Sequence, residues 1–276
     1  MQWWCSAQGI AWTWTWRPYV GVWLLILLFA VGYWRLYRRA RRMTSGDGAI
    51  EPMRIAAAVA GVLCLWIALD WPVGLLGAGY LASVHMVQFI LISVVAPPML
   101  LYGIPPVLLA RFGPRPNAGR TARSVLVPLI GIVGINVVVV ATHAPLMVDS
   151  LMPTQLGSFT LDIIWLVSAL AFWWPLVWSV PGDRPLPAPA KIGYLFAGTF
   201  AHTGVAMYLL LSQFPVYRTY ELAPPIAGIT PLGDQEVAGG LMLVAGILLV
   251  LGTMTAIFFQ WQRELERNEI VGAPGP

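Results

Sequence analysis

Long apolar runs, separated by short polar stretches, set the pattern of this chain. They fall near residues 19–36, 55–71, 78–100, 125–142, 157–179, 193–212 and 237–260. Each approaches the ~20 residues needed to cross ~30 Å of hydrocarbon. Lipid offers the backbone no water, so spans of this length are helical. The pattern predicts an all-α polytopic integral membrane protein with seven transmembrane helices. Residues 1–276 read as a single membrane domain: a Trp-rich segment at 1–18, a seven-helix bundle at 19–260 and a tail at 261–276. Proline pairs at 97–98 and 105–106 bracket one end of the third span. Proline lacks a backbone donor, so a kink or stop is expected there. "FGPRPNAGR" and "VPGDRPLPAPAK" read as connectors. "FPVYRTYELAPPIAGITPLGDQ", near 214–235, reads as a loop folded over the outer mouth, and the closing "NEIVGAPGP" as a frayed end.

Composition agrees with the pattern. The 276 residues are 58% hydrophobic and 10% charged, with a mean hydropathy of +0.74, whereas soluble domains are about a quarter charged. Trp12, Trp14 and Trp16 precede the first span. They read as an aromatic belt on the outer leaflet, and their alternation also resembles a short strand. Fourteen of the sixteen basic residues fall on one side of the predicted spans; only Arg17 and Arg218 fall on the other. That bias puts the N-terminus outside and the C-terminus in the cytoplasm. The first span, with no basic stretch before it and no cleavage site after it, reads as an uncleaved anchor. The net charge of +4 is then topogenic, and no nucleic-acid surface is implied. Cys5 and Cys64 form no CxxC pair. No Ser–His–Asp spacing, phosphate-cradling loop or HExxH occurs, so the chain does not read as an enzyme and no catalytic or cofactor-binding residue is assigned.

The polar residues inside the spans carry the functional signal. Asp70 ends the second span, His85 lies in the third, and His143 ends the fourth, with Asp149 just beyond. Asp162 enters the fifth, His202 sits in the sixth, and Asp234 and Glu236 open the seventh. Ionisable groups in a membrane are expensive and face a bundle interior or wet cavity. A polar cup opening outward is expected. Imidazole, thioether and carboxylate together suit a transition metal, and Cu(I) accepts both sulfur and imidazole nitrogen. The candidate ligands are His85, Met86, His143, Asp149, Asp162 and Asp234. No helix offers two histidines three or four residues apart, so such a site draws on several helices. The plainer reading stands beside it. A lone histidine in a span often bonds a neighbouring helix, Asp234 suits a cap on the last helix, and most methionines in an oily bundle are packing. His202, between Ala201 and Thr203, reads as structural. A copper or solute transporter is disfavoured, since the inner half carries no matching polar path.

One family resemblance unites these features. "YLASVHMVQFILISVVAPPMLLYGIPP" resembles the signature of the CtaG family of bacterial cytochrome c oxidase assembly proteins, with its His-Met-x-Gln-His run followed by Ala-Pro-Pro. "WTWRPYVGVWLLILLFAVGYWR", "THAPLMVD", "LAFWWPLVWS", "FPVYRTY" and "GDQEVAGGLM" are similar to further elements in the same order. The resemblance implies a seven-helix protein of the bacterial inner membrane that helps mature the copper-containing core of a haem–copper oxidase. Its partners would be oxidase subunits or a copper chaperone. It carries over His85, Gln88, Pro97, Pro98, His143, Asp149, Asp234 and Gln235, with Gln88 and the two prolines as shaping residues. Phe89 stands where the family has a second histidine. Phe159 and Ile163 replace the histidines of a later His-x-x-Glu-His motif, where Asp162 alone keeps an acid. Those three losses imply copper binding that is weak, altered or absent. The alternative is an accessory subunit or scaffold of a respiratory complex with a decayed metal site.

Overall fold

The computed structural model of the chain describes residues 2–43, 50–112, 120–178, 186–226 and 228–272. Seven helical segments are long and apolar enough to cross a membrane, and the described residues contain no strand. The first two spans are α1 (Val20–Met43) and α2 (Pro52–Leu69). A short α3 (Val73–Gly79) leads to the third span, made of α4 (Ala82–Ile90), a π-helical turn (Leu91–Val95) and α5 (Ala96–Tyr102). After α6 (Pro106–Phe112), the fourth span lies in α7 (Arg120–Thr142) and is followed by α8 (Pro145–Leu151). The fifth span is α9 (Gln155–Val177). The sixth is α10 (Ala188–Gly198) with α11 (Phe200–Leu211). After α12 (Arg218–Glu221), the seventh span lies in α13 (Pro231–Gly272). Leu28, Val59, Ile130, Val167 and Leu248 are exposed around the outside. In lipid such surface is as well placed as in a core, because acyl chains are as apolar as leucine.

The third span is the most buried of the seven. It packs against α2, α9 and α13, while α1 lies at the edge on α2. The proline pairs do not stop this span. Pro97 and Pro98 occupy the first turn of α5, where missing donors are tolerated. The π turn before them widens the ladder, so that Ala96 N–H reaches back to Leu91 O. Pro97 has no N–H for Ser93 O, and the Trp173 indole supplies one from α9 at 3.0 Å. The same logic recurs at the second pair. Pro105 and Pro106 supply no i+4 N–H to Leu101 O and Tyr102 O, although Ile104 N still reaches Leu101 O at 3.1 Å. Trp178 Nε1 donates to Leu101 O at 2.8 Å, and the Arg54 guanidinium donates to Tyr102 O at 2.8 Å. Tyr37 adds a bond to Gly103 O at 2.9 Å. Each carbonyl orphaned by a proline thus becomes a link to another helix.

Two expectations for the ends of the chain need correction. Residues 2–19 form neither a strand nor a surface belt as a whole. Trp4 and Cys5 are fully buried, although Trp14 and Trp16 remain exposed. The segment is drawn inward because Gly79 leaves room for it: a Cβ there would meet Ala7 Cα at 2.5 Å. Met152 O accepts from Ala7 N at 3.2 Å, and Gln155 Oε1 accepts from Trp3 N at 2.7 Å. At the other end, α13 runs from Pro231 to Gly272, so the helix continues into the stretch read as a frayed end. Much of the two Pro/Gly-rich connectors, and residues 273–276 of the closing stretch, lie outside the described residues.

Candidate functional site

α4 begins where Leu81 is extended, and its first turn is held by a carboxylate from another helix. Asp234, in the first turn of α13, accepts from Ala82 N at 2.5 Å, from Ser83 N and from the Ser83 hydroxyl. A negative charge at a helix start is favourable. Asp234 therefore caps α4 rather than its own helix. One turn further on stands His85, fully buried. Its ring lies 6.0 Å from that of His143, centroid to centroid, at the far end of α7. Trp165 of α9 walls both imidazoles, at 5.1 Å from His85 and 5.8 Å from His143. Tyr220 closes over His85 at 5.8 Å. Phe89, one turn after His85, packs on His143 at 4.8 Å and on His202 at 5.5 Å. Two histidines from two other spans thus pack on one phenylalanine, one turn after His85.

The hydrogen bonds of these rings are incomplete. His143 Nδ1 meets Val139 O at 2.9 Å. A carbonyl only accepts, so Nδ1 carries the proton and Nε2 keeps its lone pair. That Nε2 has no partner, and neither ring nitrogen of His85 has one. His202 Nδ1 meets Gly198 O at 3.1 Å in the same manner as His143. Tyr217 hydroxyl donates to His143 O at 2.9 Å and fixes the end of α7. Buried polar groups are nearly always hydrogen-bonded, so three orphaned imidazole nitrogens in one place call for a ligand.

The other expected ligands are engaged elsewhere. Asp162 accepts from Trp4 Nε1 at 2.8 Å and from Gln88 Nε2 at 3.0 Å. Asp149 accepts from Arg218 N, Thr219 N and the Thr219 hydroxyl, fixing the start of α12. Met86 is a neighbour of His85 in sequence but turns ~100° away around the helix and is buried in the hydrophobic core. The six-residue cluster therefore resolves into a histidine pair, a packing methionine and three structural carboxylates. Among the described residues, no group of three or more His, Cys, Asp or Glu is arranged to hold a metal ion. Cys5 adds no soft ligand. Its buried thiol donates to Leu69 O at 3.3 Å, and burial, reinforced by the carboxylates of Asp162 and Asp70, pushes it well above the ordinary value.

Comparison with known proteins gives the site its context. The family model of the cytochrome c oxidase caa3 assembly factor (Caa3_CtaG) matches residues 11–264. The chain belongs to the Caa3_CtaG family. Uncharacterized proteins of Mycobacterium bovis and Mycobacterium tuberculosis are each 27% identical over 263 residues, covering 88% of this chain and 38% of their own length. One of Mycobacterium leprae is 26% identical over 275 residues, covering 92% of this chain and 40% of its own. The chain thus spans about two fifths of the length of these curated relatives. No solved structure matches it.

Within this Caa3_CtaG chain, two of the three positions that depart from the expected motifs, Phe89 and Phe159, are filled by aromatic packing. Phe159 stands edge-on to Trp4 at 4.9 Å and near Trp3 at 5.4 Å. The inward-threaded segment therefore occupies the neighbourhood where the resemblance puts a second set of histidines. Sequence reading missed Trp165 and Tyr220, which enclose the histidine pair, and Trp4, which holds Asp162. Trp165 lies three residues beyond Asp162, one turn along α9, and this spacing was the one available signal. Trp4 and Tyr220 arrive from distant segments and left none.

The donor set fits a soft, low-coordinate cation. The candidate donors are the three unpartnered ring nitrogens of His85 and His143, whose ring centroids stand 6.0 Å apart. Imidazole suits copper. Two imidazoles fall short of the four ligands of a structural zinc site.

Proposed function

We propose that this protein assists maturation of the copper-containing core of a haem–copper oxidase by holding Cu(I) between His85 and His143. The site would face the outside of the bacterial plasma membrane, in keeping with the fourteen-to-two bias of basic residues. One observation carries the reading. Two buried imidazoles from separate helices stand 6.0 Å apart with three ring nitrogens lacking any hydrogen-bond partner. Each polar group left so costs about 1–3 kcal/mol, and coordination of a cation offsets that cost. The role is non-catalytic: the protein holds and hands on an ion, and its partners are oxidase core subunits or a copper chaperone. The test is copper content after purification with Cu(I) under reducing conditions. One copper per chain is expected in the natural protein and in Met86→Leu, and close to none in His85→Ala and His143→Ala. Equal content in all four overturns the reading.

A second reading, that of a permanent accessory subunit, draws support from the aromatic packing at Phe159. It requires co-purification with a finished oxidase at fixed stoichiometry and no copper on this chain.

A further inference from the structure

The His85–His143 pair is fully buried, so a cation needs a way in. At the end of the bundle that carries α12, an open cleft of about 260 Å³ is lined by Tyr80, Leu81, Tyr220, Glu221, Pro225 and Asp234. Two of these are carboxylates, and Glu221 is exposed. A cleft lined by one sign of charge concentrates the opposite ion. Tyr220 has two faces that matter. It lines the cleft, yet is only 5% exposed, and its ring lies 5.8 Å from that of His85. A single side chain therefore reaches both the outside and the orphaned imidazole. Its hydroxyl is latched: it donates to Gly77 O at 2.6 Å. Gly77 brings α3 close to the third span, since a Cβ there would meet His85 Cα at 3.1 Å. The latch, the gate and the imidazole thus lie within one side-chain layer.

We infer that the cleft beside Glu221 and Asp234 is the entrance for a soft monovalent cation and that Tyr220 is the gate between it and His85. The inference rests on the proposed role of the histidine pair, but access can be read without any metal. α12 has four residues and is held at its start by Asp149, so Tyr220 is carried by a short element outside the spanning helices. Once the ring is displaced, Glu221 and Asp234 lie along the path and His85 at its end.

The experiment labels histidines with diethyl pyrocarbonate in the full chain reconstituted in lipid nanodiscs, with site-resolved mass spectrometry. Modification of His85 is expected to be slow in the natural protein and at least tenfold faster in Tyr220→Ala. Tyr220→Phe, which keeps the ring but loses the latch, should fall between. Adding Ala223→Trp, which fills the cleft mouth, should return Tyr220→Ala toward the slow rate. A general loosening of the fold would accelerate His202 equally and leave the Ala223→Trp rescue absent; that outcome overturns the gate. So does an unchanged His85 rate in Tyr220→Ala. A parallel arm follows uptake of Cu(I) from a chromophoric chelator. Faster uptake to the same final content in Tyr220→Ala supports both the gate and the metal site. Faster labelling with no copper bound supports the gate as a route to the imidazole while removing the metal reading.

Discussion

Replacing Trp4 by phenylalanine should release residues 2–9 from the bundle without unfolding it. The indole donates to Asp162 Oδ2 at 2.8 Å, in a place where Trp4 is 1% and Asp162 4% exposed. Phenylalanine keeps the ring that packs edge-on to Phe159 but removes that donor. An acceptor left buried without a donor costs about 1–3 kcal/mol. The lost volume, about 40 Å³, adds about 1 kcal/mol at ~24 cal/mol per Å³. The sum is about 2–4 kcal/mol, taken from a segment whose other anchors are the bonds of Trp3 N and Ala7 N. At about 1.4 kcal/mol per factor of ten, the Ala7 amide should exchange its hydrogen about 30- to 700-fold faster. Hydrogen–deuterium exchange in nanodiscs, read by mass spectrometry over residues 2–9, gives this number directly. A double-mutant cycle apportions it. Asp162→Asn keeps an acceptor for Gln88 but turns an amide N–H toward the indole, so it should cost more alone than in the Trp4→Phe background, with a coupling of about 1 kcal/mol. Unchanged exchange in Trp4→Phe, or strictly additive costs, would refute the picture of a segment pinned by Asp162.

Three further outcomes are expected. Phe89→His places a third imidazole beside His143 and His202 and should tighten Cu(I) binding at least tenfold in chelator competition. Trp173→Phe strips Ser93 O of the donor that replaces the Pro97 N–H. It should lower thermal stability by about 1–3 kcal/mol, and restoring a backbone donor with Pro97→Ala should recover part of that loss in the same melt. Asp234→Ala removes the acceptor for Ala82 N and Ser83 N, which should cost about 0.5–2 kcal/mol and appear as faster amide exchange confined to residues 82–85.

The seven spans were readable because lipid imposes a length and a composition on each of them. The helical sixth span hides a break at Thr199, and the third hides a π turn. Neither changes hydropathy, so neither leaves a trace in the apolar pattern. The proline pairs pointed to trouble in the third span, but their outcome depended on donors from other helices: Trp173, Trp178, Arg54 and Tyr37. The histidines drew notice because a titratable group in lipid is costly. What could not be read was their company. His85 and Met86 are adjacent in sequence and diverge in space, whereas His85 and His143 are 58 positions apart and face each other. Asp234 was expected to cap the last helix, but the helix it caps begins 152 residues earlier. The inward course of residues 2–19 was hidden by their tryptophans, which suit a membrane interface as well as a buried contact.

X-ray absorption at the copper edge of the Cu(I)-loaded chain tests the histidine pair most directly. A first shell of two imidazole nitrogens near about 2 Å, without sulfur, and its loss in His143→Ala, is the expected result. A shell dominated by sulfur, or a spectrum indifferent to His143→Ala, would contradict a metal held between residues 85 and 143.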